Sequence, residues 1–139
     1  MSVRGQSTWQ EINALPTIAT LIEDGLSEAR EHYAALFEAQ PNPHAFDEST
    51  IGRVTRVNAD SLELCDVYEE QLRRWRSERL TDAQQQEVAR LSSTKRELRL
   101  VLTEILALAD ELASATTRQL SKTDAELGLE HPLRTHPPG

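Results

Sequence analysis

A chain of 139 residues, 38% of them hydrophobic and only 4% aromatic, with a formal charge of −8 and one cysteine, suits a single small domain with an aliphatic core. That composition excludes an intrachain disulfide, a multi-cysteine metal site and attraction of nucleic acid by the overall field. The most apolar window, residues 98–112, is broken by Arg99, Glu104, Asp110 and Glu111, so it falls short of the roughly 20 apolar residues of a membrane span.

The charge is uneven. Residues 1–50 carry eight acids and two bases, residues 51–100 nine acids and ten bases, and residues 101–139 six acids and three bases. Only the middle of the chain is basic. Lone Cys65 and the lack of a signal-like N-terminal apolar stretch point to a reducing cytoplasm. The frequent Ala, Arg, Glu and Leu resemble the usage of small bacterial proteins from GC-rich genomes.

In chain order, residues 1–7 read as disordered. Thr8 and Glu11 have capping-box spacing and predict a short helix from Trp9 to Ala14. Leu15, before Pro16, is expected to leave helical angles, and Pro16 suits the first turn of a new helix. That helix is predicted over 17–39, with Ile18, Ile22, Leu26, Ala29, Tyr33 and Leu36 or Phe37 on one side and Glu23, Asp24, Glu28 and Glu31 on the other. Gly25 costs about 1 kcal/mol inside it, which close approach of a neighbouring helix would explain.

Pro41-Asn42-Pro43 ends the helix. Asp47 is the expected N-cap of the next, with Phe46 packing on Ile51 as a hydrophobic staple. Ile51, Val54, Asn58, Ser61, Cys65, Tyr68, Leu72 and Trp75 then recur at alternating steps of three and four, as do Val88, Leu91, Lys95, Leu98, Leu102, Ile105, Ala109 and Leu112. Such spacing draws one stripe along each of two long helices, predicted at about 48–79 and 82–118. Thr81 and Gln84 form the cap between them, and the short break forces a hairpin. The stripes align if Trp75 faces Val88, Leu72 faces Leu91, Cys65 faces Leu98 and Ile51 faces Leu112. A further short helix is expected after Thr123, whose spacing to Glu126 again matches a capping box. Residues 131–139 read as disordered.

The predicted fold is all-α and single-domain over 1–139. It is an antiparallel three-helix bundle whose long hairpin protrudes as a two-helix coiled-coil tip, roughly residues 71–93, with short terminal helices. Trp75 on such a tip would be a partly exposed interface anchor, unless Trp9, Ile12 and Leu15 fold back over it. The expected partner surface is therefore Trp75, Leu72, Arg74, Arg76, Arg79 and Val88, with a secondary surface at Leu127, Leu129 and Leu133. Glu69 and Glu70 precede Arg73 and Arg74 by four residues, the favourable order for helix-surface pairs. Asn58 and Ser61 interrupt the seam and are expected to set register, or to line a small polar cavity with Tyr33. Lys95 is expected to lay its stem over Tyr68 and snorkel.

Cys65 sits on the core stripe with no base in view, so no thiolate chemistry is assigned. His32, His44, His131 and His136 have no zinc spacing, and the carboxylate–histidine repeat of di-iron bundles is absent. No catalytic residue, metal or cofactor is predicted. The leading expectation is a non-enzymatic protein–protein interaction adaptor or assembly subunit. It would self-associate through its long helices as a homo-oligomer, a dimer first, without membrane or nucleic-acid partners. The alternative is an acidic inhibitor or DNA mimic that masks a basic nucleic-acid-binding protein.

Overall fold

The structure is a computed structural model that describes residues 9–42 and 47–135, and of residue 116 and residues 119–135 the backbone alone. A 3-10 turn at Ile12–Ala14 leads straight into α1 (Leu15–Ala39), followed by α2 (Glu48–Arg76) and α3 (Asp82–Thr135). Among the described residues there is no strand. The all-α bundle of three helices is as the periodicity predicts.

Local chemistry explains most boundaries. The Asp47 carboxylate accepts from the Thr50 backbone N–H at 2.7 Å, which satisfies a free donor at the start of α2. The same bond holds this carboxyl below its ordinary range. At the start of α3 the capping box closes in both directions. The Thr81 N–H donates to Gln84 Oε1 (2.9 Å) and the Gln84 N–H to Thr81 Oγ1 (3.1 Å). Residues 77–81 form the predicted tight connection, although α2 stops at Arg76 rather than near residue 79. Phe46 and Thr8 lie outside the described residues.

Further expectations about element ends fail. Leu15 is helical (φ −52°, ψ −45°) despite preceding proline. The pre-proline clash disfavours that conformation without forbidding it, and here the 3-10 turn runs on into a leucine that is buried. Helix α3 does not end at Arg118 but runs on to Thr135. No glycine or proline lies between Arg118 and Leu127, and a Thr-x-x-Glu sequence caps a helix only where the preceding chain has already left it. Residues 131–135, expected to be disordered, are helical; residues 136–139 are not described.

Helix α3 is the spine. It packs along both α1 and α2, whereas α1 and α2 touch each other little. Helices α2 and α3 are antiparallel, as the Glu69–Lys95 and Asp66–Arg99 ion pairs show, one or two positions from the expected register. Helix α1 runs parallel to α3: Glu23 bonds Arg90, and Arg30 bonds Glu97. The core is one cluster built from Leu26, Leu72, Leu91, Leu102, Ile105 and their neighbours. A Cβ on Gly25 would lie 3.4 Å from Leu98 Cδ2, so α1 does come close to α3 at that glycine.

The predicted bare tip does not exist. Trp75 and Leu72 are 0% exposed and Val88 1%, because the N-terminal segment lies over that end of the hairpin. The Gln10 carbonyl accepts from Trp75 Nε1–H at 3.0 Å. Gln71 completes the clamp, accepting from the Gln10 N–H at 2.8 Å and donating through Nε2 to the Gln10 carbonyl at 3.3 Å. Arg74 stacks over the Trp9 ring at 4.6 Å, a favourable cation–π distance.

Candidate functional site

The predicted partner surface is dispersed by this packing. Its apolar members Trp75, Leu72 and Val88 belong to the core, so they present no surface. Its arginines are mostly engaged. Arg74 bonds Glu70 at 3.0 Å while stacking on Trp9. Arg76 reaches Ser92 Oγ at 2.8 Å and Glu69 at 3.6 Å. Arg79 is exposed and has no ion pair among the described residues. The side chains of Leu127, Leu129 and Leu133 lie outside the described residues.

Two neighbouring features sit instead on the side where α1 and α2 face each other. The first is a cavity of about 70 Å³ lined by Gly25, Glu28, Ala29 and His32 of α1, by Val57, Asn58 and Ser61 of α2, and by Leu102 beneath. The predicted pairing of Asn58 and Ser61 around a polar cavity holds, but the third wall is His32 rather than Tyr33. Tyr33 points the other way, stacked on Phe37 at 6.0 Å between ring centres. Asn58 is buried and donates to the Val54 carbonyl at 2.8 Å. His32 Nδ1 is buried without a hydrogen-bond partner.

The second feature is apolar. Seven residues are almost two helical turns, so Val57, Leu64 and Gln71 form one row along α2. Both ends of the row are placed: Val57 lines the cavity beside α1, and Gln71 grips Gln10. Val67 lies one row further out, seven residues before Arg74, which stacks on Trp9. On α1, Leu21 precedes Gly25 by one turn and so shares the side turned towards α2. Leu21, Val57, Leu64 and Val67 are each 43–49% exposed. Leu21, Val57 and Leu64 border the shallow side on which α1 and α2 touch each other little, and Val67 stands further round, towards the outer face of α2. Single exposed leucines are ordinary; a contiguous row is less so.

Fixed charge lies along the contact of α2 with α3. Lys95 is buried and its ammonium is held by Glu69, so the lysine is locked in an ion pair rather than snorkelling to water. That hydrogen bond is the main reason the Glu69 carboxyl titrates below its ordinary range. Cys65 is fully buried, and desolvation pushes its thiol up, away from the reactive thiolate form. No group of three or more histidine, cysteine or carboxylate side chains stands ready for a metal among the described residues. No described helix is long and apolar enough to cross a membrane.

Sequence reasoning missed Gln71, His32 and the open row. Gln71 and Val57 lie one step off the apolar stripe, where periodicity alone cannot tell a contact from a solvated flank. The 3,4 spacing located the stripe and left its edges unassigned. Comparison with family models, with curated proteins and with solved structures finds no match to this chain.

Proposed function

We propose that this chain is a non-enzymatic interaction protein, an adaptor or assembly subunit of the reducing cytoplasm, that docks protein helices in the α1–α2 groove and self-associates. The observation that carries this reading is the set Leu21, Val57 and Leu64, half-exposed along a side where two helices barely touch. An amphipathic helix laid in such a groove would bury these side chains at about 25 cal/mol per Å² of apolar area. Rigid walls favour that role, because the groove is supported by α3 from behind and by the Gln10 clamp at one end.

The test is affinity purification from the native host with mass spectrometry, run with wild type, Leu21→Glu and Leu64→Glu. Both positions are exposed, so the variants should retain the wild-type helical circular dichroism. Loss of the same partner in both variants is the expected result. An unchanged partner set in both would remove the basis for the reading.

A second reading has its own observation. Asp24, Glu28, Glu31 and Glu38 are exposed on α1 and make no ion pair among the described residues, whereas Arg73, Arg74, Arg76, Arg90, Lys95 and Arg99 are all paired. Such a surface suits an acidic inhibitor that masks a basic nucleic-acid-binding protein. Salt-sensitive capture of polylysine, lost in Glu28→Gln with Glu31→Gln and retained in Leu21→Glu, would favour it over the groove.

A further inference from the structure

The outer face of α2, opposite its core stripe, carries a second regular pattern. Arg53, Arg56, Asp60, Glu63 and Val67 recur at steps of three and four, the spacing of a helix-packing seam. All five are exposed. The charges further along α2 find partners within the chain: Asp66 with Arg99, Glu69 with Lys95 and Arg76, and Glu70 with Arg73 and Arg74. Arg53, Arg56, Asp60 and Glu63 pair with none of the described residues, even though Arg56 and Asp60 stand one turn apart on the same helix. Two unpaired bases followed by two unpaired acids form a self-complementary sequence.

Resting on the reading of the chain as a self-associating interaction protein, we propose that α2 docks antiparallel on α2 of a second copy, about a two-fold axis level with residue 58. Arg56 and Asp60 lie equally far from that level, as do Arg53 and Glu63. The axis therefore sets Arg56 against Asp60 of the second copy and Arg53 against Glu63 of the second copy, each pair occurring twice by symmetry. A parallel arrangement would instead set like charges together. Along one edge of the seam, Val57 of both copies meet beside the axis, covering apolar surface that the monomer leaves half-exposed. Along the other edge lie Gly52 and Ala59. A Cβ at Gly52 would meet nothing within 4 Å in its own chain, so this edge presents little bulk and lets two helices approach within the usual 8–10 Å. Helix α1 lies to the side of the seam and α3 behind it, so neither obstructs the second copy.

Sedimentation velocity of the purified full chain over a wide concentration range tests this contact. The expected result is a dimer that weakens with salt. Arg56→Glu alone and Asp60→Arg alone should each weaken it about tenfold, since each change replaces two attractive pairs by two repulsive ones. Circular dichroism should show all variants as helical as wild type. An equimolar mixture of the two single variants should recover a dimer, because each then supplies the charge the other needs, and the chain carrying both substitutions should dimerise with itself. A wild type that stays monomeric, a dimer indifferent to the single reversals, or a mixture that fails to recover would each overturn the contact. The docking groove is judged separately. If Leu21→Glu loses partners while the charge reversals do nothing, the interaction reading stands and this contact falls.

Discussion

Trp75 shows how one side chain changes role with its surroundings. On an uncovered hairpin it would be an anchor for another protein. Here it is 0% exposed and its indole N–H is satisfied by the Gln10 carbonyl, so its burial supports the fold. Trp75→Ala should cost about 3–5 kcal/mol, the usual range for emptying an aromatic site in a core. Trp75→Phe keeps most of the bulk but loses the hydrogen bond, at about 1–2 kcal/mol. Urea unfolding followed by circular dichroism measures both. A stable Trp75→Ala protein that has lost a binding partner would contradict this placement and restore the surface role. Gln71 had no visible signal in the sequence. A glutamine one step off a core stripe is usually solvated, and only the arrival of Gln10 opposite it makes it buried.

At the scale of elements, α3 is about 80 Å long at 1.5 Å per residue, nearly twice the length of α2. Among the described side chains its last buried core residue is Leu112, and the register of the Asp66–Arg99 pair sets the start of α2, at Glu48, level with the turn that ends at Arg118. A chain truncated after Arg118 should therefore unfold at nearly the same urea concentration as the full chain, within about 0.5 kcal/mol, while losing helical signal in proportion to the turns removed. A large drop in stability would mean that residues 119–135 pack on the bundle. The helix ends marked by a side-chain cap at Asp47 and Thr81 were legible, since each bond needs only residues three positions apart. The far end of α3 was not, because a Thr-x-x-Glu sequence is equally at home inside a helix.

For the whole molecule, acidity is both solvation and stabilisation. The Asp47, Glu69, Glu70 and Glu87 carboxyls are all held below their ordinary ranges, chiefly by hydrogen bonds from the Thr50 N–H, Lys95, Arg73 and Arg90 respectively. A carboxyl lowered in the folded state contributes stability above its unfolded value and loses it as pH falls through the folded value. Stability should thus decline from the ordinary carboxylate range, about pH 4, downward. Glu69→Gln should narrow the difference between urea midpoints at about pH 7 and pH 3; an unchanged difference would show that the Lys95 pair contributes nothing. The amino-acid order by itself determined three helices, the antiparallel pairing of the two long ones and which stripe each buries, because 3,4 periodicity and local caps act within one helix or between neighbours joined by a short turn. Only the tertiary structure decided that residues 9–14 fold over Trp75 and that α1 leans on α3 and leaves an open side beside α2. Those outcomes depend on contacts between residues more than sixty positions apart, and no local pattern encodes such a contact.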